Sequence, residues 1–259
     1  MNMRNVLMAA AMGVALISPL ALAQTLIKVE PNSMMRLPAV TSVLMLERLE
    51  VADHGTLLVP AGVSEIRVAH INLGPAARIA IAPSEGSFRL EAATGDIASG
   101  AQITARGAPG TFERPAVAGR TLAIRLEDVT TESLIIDVRG GKGTPGYAGL
   151  AGANGKAGGC TWGQASQGVD GYDGGDGQAG APGGHLRVEV PQAFPTERLT
   201  IRVEGGEGGQ AGSAGAGGTG GASKDCWIYA TNSARNGRPG QAGQTGAMGA
   251  PGSADIITF

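Results

Sequence analysis

Apolar side chains alternate with polar or small ones in short stretches from about residue 43 to residue 139. Ile66/Val68, Ile79/Ile81, Phe88/Leu90, Leu122/Ile124/Leu126 and Ile136/Val138 each follow the two-residue period of a half-buried strand. Gly62, Gly74, Gly86, Gly95, Gly100, Gly107 and Gly119 punctuate them at turn-like intervals. No stretch holds a helical period for three turns. Short strands in this number suit either a β-sandwich or a parallel solenoid. The lack of tight two-residue hairpin turns leans toward the solenoid, and the sequence leaves both open.

From residue 140 the period changes to three. Glycine recurs at Gly140–Gly158, Gly168–Gly183, Gly206–Gly221 and Gly237–Gly252, every third residue in each run. Three residues per turn is the period of an extended left-handed helix of the polyproline II type. The runs are two copies of one unit. Leu134–Gly143 matches Leu199–Gly208 at an offset of 65, and Gly180–Gly183 with Leu186–Val190 matches Gly249–Gly252 with Asp255–Phe259 at an offset of 69. Cys160 and Trp162 answer Cys226 and Trp227, so each unit reads strand, run, Cys-Trp tip, run, strand. Composition follows the same division: 34 of the 44 glycines lie in residues 140–259. The expected organisation is therefore 1–23 as a leader, 24–139 as a strand-rich β domain, and 140–259 as the duplicated unit.

The leader reading rests on Arg4, the apolar stretch Val6–Leu20 and the small-residue site Ala21-Leu22-Ala23. That stretch is too short for a comfortable span, so an exported mature chain without a membrane span is expected. The expected location is secreted or at the cell surface, with the periplasm admitted. In an oxidising compartment two cysteines in matching places predict a disulfide, Cys160–Cys226.

An extended left-handed helix makes no hydrogen bonds to itself, so its backbone groups need outside partners. A disordered tail, a three-chain collagen helix and a side-by-side bundle would each supply them. Proline occupies only Pro145, Pro182, Pro239 and Pro251 of the triplets, far below the ~15–20% of collagen. The strict period and flanking strands speak against disorder. The expected fold is thus all-β: a strand-rich N-terminal region followed by a four-run polyglycine-II bundle standing on strands. These runs resemble the polyglycine-II bundles of snow-flea antifreeze proteins and of the tip adhesins of some tailed phages. A leader followed by strands and Gly-x-y runs is similar to bacterial secreted collagen-like proteins. The resemblance implies a structural or receptor-binding role. It covers about half the chain, and the cysteine at each tip departs from the phage adhesins.

Catalytic chemistry finds no motif. His54, His70 and His185 are scattered, and no Gly-x-Ser-x-Gly, His-Glu-x-x-His or Cys-x-x-Cys occurs. No cofactor and no metal site is expected. Asp170, Asp173 and Asp176 stack at three-residue spacing, about 9 Å per step, too far apart to share one Ca²⁺. They read as a solvated acidic edge. A net charge of −2 gives no footprint for nucleic acid. Aromatic residues gather at the tips, and Trp162, Trp227 and Tyr229 are the expected contact residues. The function expected is a non-enzymatic structural or adhesive module, with a surface glycan or protein receptor, or self-association, as partner. The alternatives are an ice-binding protein, whose faces Lys142, Tyr147, Leu150, Asp173 and Arg238 would interrupt, and a triple-helical filament subunit.

Overall fold

Strand alternation becomes packing through one repeated step. In the computed structural model, which describes residues 26–38, 41–161 and 163–259, β1 (Leu26–Val29) and β2 (Met34–Arg36) make a first coil. β3 (Val43–Val51) with β4 (Thr56–Val59), β5 (Glu65–Leu73) with β6 (Arg78–Ile81), β7 (Phe88–Ile97) with β8 (Ala101–Thr104), and β9 (Leu122–Thr131) with β10 (Leu134–Asp137) repeat it. β11 (His185–Val190), β12 (Leu199–Arg202) and β15 (Ser253–Thr258) continue the coil; β13 (Lys224–Asp225) and β14 (Ala230–Thr231) form a separate hairpin. Odd-numbered strands β1 to β11, then β15, form a seven-stranded sheet, and β2 to β12 form a six-stranded one. Every pair within these two sheets is parallel. The chain is all-β, and its path through them is that of a solenoid.

Inward positions stack in register and exclude water. Leu46, Val68 and Ala92 succeed one another through the first sheet, as do Leu57, Ile79 and Ile103 through the second, and all six are buried. Outward positions carry charge in alternating sign. Arg67, Glu91, Arg125 and Glu189 face successive coils, with Arg67–Glu91 at 3.3 Å and Arg125–Glu189 at 3.0 Å. Glu189 is held below the usual carboxylate range, first by the Arg125 hydrogen bond and then by Arg187.

The corner between the sheets uses left-handed backbone in successive coils, at Asn32, His54, Ala76 and Gly100 (φ 53°, 54°, 53° and 71°). His54 is accordingly a corner residue whose N–H donates to the carbonyl of Pro75.

At the opposite corner the coil makes excursions, and the glycine runs are their arms. The strand ladder passes into them without a break. Val138 N–H donates to the carbonyl of Arg202 (2.9 Å), then Gly143 to Glu207 and Gly146 to Gln210 (both 2.8 Å). Asp137 marks the junction and is buried. Burial pushes its carboxyl up, but hydrogen bonds and charge from Arg139, with the charge of Arg106, outweigh that and hold it below the usual range. The first run is parallel to the third, and the second to the fourth (Gly174 N–H to Gln241 O, 2.8 Å). First against second (Gly175 to Tyr147, 2.8 Å), second against third (Gly212 to Gly175, 2.9 Å) and third against fourth (Gly243 to Gly212, 3.0 Å) are antiparallel.

This contact leaves no room for side chains on the glycine edge. A Cβ added at Gly143, Gly149 or Gly155 would fall on the carbonyl oxygen of Gln178, Tyr172 or Ser166. The third run also presses on the first and fourth, and it carries paired glycines: Gly205-Gly206, Gly208-Gly209, Gly217-Gly218 and Gly220-Gly221.

A further excursion, residues 105–121, lies on the first two runs. Gly107 donates to Arg139 O (2.9 Å) and Gly110 to Lys142 O (2.8 Å); returning, Gly119 donates to Pro182 O (2.9 Å). Gly107 and Gly119 are therefore more than turn residues, since a Cβ at either would fall on a backbone carbonyl, that of Val117 or Val138. Gly107-Ala-Pro-Gly110 repeats the letters of 180–183 and 249–252, and that signal would have disclosed the excursion.

Candidate binding surface at the tip

The free ends of the runs are tied by the Cys160–Cys226 disulfide, as the matching of the two units predicts. Beyond the third run the chain forms the β13–β14 hairpin, with Lys224 opposite Thr231 and Asp225 opposite Ala230. Cys226 N–H donates to the carbonyl of Tyr229 (2.8 Å), which closes a tight turn over Trp227 and Ile228. Both flanks of this turn are anchored: Cys226 by the disulfide, and Tyr229 by its phenol, which donates to the carbonyl of Cys160. The two central residues have nowhere to go but outward. Trp227 is 100% exposed and Ile228 85% exposed.

Tyr229 is half in contact and half in solvent, and it borders an open hollow with Gly159, Thr161, Gln164 and Asn232. Trp162 lies outside the described residues. The structure thus brings Cys160, Cys226, Trp227 and Tyr229 to one end. Ile228 completes the exposed turn and was missed by sequence reading, because a lone Ile after Trp carries no periodicity. A Cys-x-x-Tyr spacing between two short polar strands is the local signal that points to it.

The acidic column has a structural task. Asp170, Asp173 and Asp176 are exposed, and each Oδ1 accepts a backbone N–H of the fourth run, from Arg238, Gln241 and Gln244 (2.6, 2.7 and 2.6 Å). Asn154 and Asn236 do the same for Thr219 and Gly220 (both 2.8 Å). These short side chains take up backbone N–H groups that no neighbouring run accepts. Among the described residues no group of three or more His, Cys, Asp or Glu side chains could hold a metal ion.

The histidines sit apart. His70 Nδ1 pairs with Thr94 Oγ1 (3.1 Å), and His185 Nδ1 with Ser253 Oγ (2.8 Å) on the adjacent strand. No helix of the described residues is long and apolar enough to cross a membrane. No family model, no curated protein and no solved structure matches this chain.

Proposed function

We propose that this chain is an exported, non-enzymatic structural or adhesive module, in which a polyglycine-II bundle carries a contact surface away from a solenoid base. The observation that carries the reading is the Trp227-Ile228 turn, fully exposed while both of its flanks are pinned. A large apolar pair costs free energy in water unless a partner covers it. A turn held at both ends also loses little conformational entropy on binding. Runs of this length extend about 55 Å at ~3.1 Å per residue, which sets the turn well clear of the coil. The supporting features at the other end are a paired, charged outer sheet and a closed apolar interior, which supply the scaffold.

The experiment is a surface-binding assay on immobilised cells, glycans and matrix proteins, comparing the chain with a Trp227→Ala/Ile228→Ala variant. We expect the variant to keep its thermal unfolding midpoint and to lose at least about tenfold in affinity, the usual weight of an aromatic anchor. Unchanged binding by the variant, or binding lost instead through exposed residues of 43–139, would overturn the tip assignment.

A further inference from the structure

The excursions stack as rows, each belonging to one coil: 105–121, then the first and second runs, then the third and fourth. The first row is short and ends at Phe112–Pro115, so it covers only the base of the face presented by the first and second runs. Two columns of residues line that face. In the first run the column is Gly141, Thr144, Tyr147 and Leu150; in the second it is Ala181, Gln178, Gly175, Tyr172 and Val169. Under the short row Gly141, Thr144 and Ala181 are small and buried, and Gly141 N–H donates to the carbonyl of Val117 (3.0 Å).

Beyond the end of that row, past the exposed Gln178 and the buried Gly175, the columns turn apolar and open. Tyr147 is 66% exposed, Leu150 71%, Tyr172 63%, Val169 51%, and Phe112 at the end of the short row 78%. They adjoin one another, since the carbonyls of Tyr147, Leu150 and Ala153 accept from the N–H groups of Gly175, Tyr172 and Val169. The Tyr147 ring is seated on Gly175, where a Cβ would meet three of its carbons, so one side of the ring is fixed and the other faces water. Among the described residues no backbone carbonyl accepts from the N–H of Tyr147 or Leu150, the successors of Gly141 along the column.

We propose that this uncovered face binds an extended, proline-rich segment of a partner protein, lying where the short row would continue. The clue to the occupant is the short row itself. Its outgoing arm is bonded to the first run through the N–H groups of Gly107 and Gly110, which a proline-rich chain cannot copy, but its returning arm meets the column as an acceptor, the Val117 carbonyl taking the Gly141 N–H. The spacing agrees as well: Tyr147 and Leu150 stand one triplet apart, about 9 Å, which is the repeat of a polyproline II helix. Every third side chain of such a ligand meets a successive apolar residue, and its carbonyls meet the free N–H groups. This is the way aromatic-lined grooves take proline-rich peptides. The inference rests on the left-handed extended reading of the runs, and it concerns a face distinct from the tip turn.

The test is fluorescence anisotropy of a labelled polyproline peptide of about twelve residues titrated with the full chain. Variants are Tyr147→Ser/Tyr172→Ser and, as a control on the other site, Trp227→Ala/Ile228→Ala. Saturable binding that weakens at least about tenfold in the tyrosine pair and is unmoved in the tip pair is the expected result. Three results overturn the proposal: no binding, binding indifferent to the tyrosine pair, or a face that takes soluble glycan oligomers and refuses the peptide. Self-association in sedimentation that the tyrosine pair abolishes would equally overturn it, by assigning the face to a second copy. All substituted side chains are exposed, so unfolding midpoints should stay put. A circular-dichroism spectrum lacking left-handed extended character would instead fault the reading of the runs, whatever the peptide does.

Discussion

Arg120 is 2% exposed and, among the described residues, no carboxylate lies within ion-pair reach of it. Its guanidinium donates instead to the carbonyls of Gly86 (2.7 Å), Val63 (3.1 Å), Ser87 (3.2 Å) and Ala82 (3.3 Å), and lies 5.4 Å from the Phe88 ring centre. Burial lowers its pKa from the usual arginine value. One side chain thereby satisfies carbonyls from two coils at the corner where residues 82–87 bulge. Arg120→Met would keep much of the volume and leave those acceptors dry. We expect a loss of about 2–4 kcal/mol in urea unfolding, with Arg120→Lys recovering part of it. Nothing in the sequence announced this residue. An arginine next to a glycine in a loop looks like any solvated charge, because its acceptors come from positions 33 to 57 residues away.

At the scale of elements, the glycine runs were legible because backbone contact admits only hydrogen at one edge, and that prints a three-residue rhythm on the sequence. The strands were legible one by one for a similar reason, through their inward side chains. Their pairing was not. Parallel neighbours such as Val43 and Glu65 are a full coil apart, and no local turn records which strand lies beside which. β2 leaves no trace in the sequence because Met34-Met35-Arg36 has no alternation and is exposed throughout, and β1 is too short, at four residues, for Leu26–Val29 to show a period. For the runs the prediction concerns Gly149 and its neighbour. A side chain at Gly149 would meet the Tyr172 carbonyl and, at 2.6 Å, the Gly215 amide nitrogen, whereas Ala148 faces solvent. Gly149→Val should cost about 1–3 kcal/mol in thermal or denaturant unfolding, and Ala148→Ser close to nothing. Equal midpoints for the two variants would contradict the crowding.

Across the whole molecule, order is unevenly secured. The coil is held by a continuous buried interior, while the runs contribute no side chain to that interior and rely on backbone hydrogen bonds between arms. Fixing so many glycines is entropically costly. The Cys160–Cys226 bond, which joins residues 66 apart in sequence, removes unfolded-state freedom where the arms are farthest from the coil. Chain-entropy arguments value such a closure at about 4 kcal/mol. Reduction should accelerate amide hydrogen exchange in 156–166 and 221–234 while leaving the amides of β5, β7 and β9 protected. Exchange that rises equally throughout would mean that tip and coil unfold as one unit.

The rows of excursions need not share one height, as the short first row demonstrates. Rows two and three, however, are bolted together at their summits by the disulfide, and their arms share a fixed register from the coil upward. Read as the left-handed extended helices proposed above, the arms are graduated, like a ruler, in steps of one triplet, about 9 Å. A single-residue insertion in any arm would turn its glycine edge away from its neighbours. A change of stature must arrive as whole triplets in all four arms together. Sequences built on this plan should differ in reach by multiples of three residues per arm, with coil and summit otherwise unaltered.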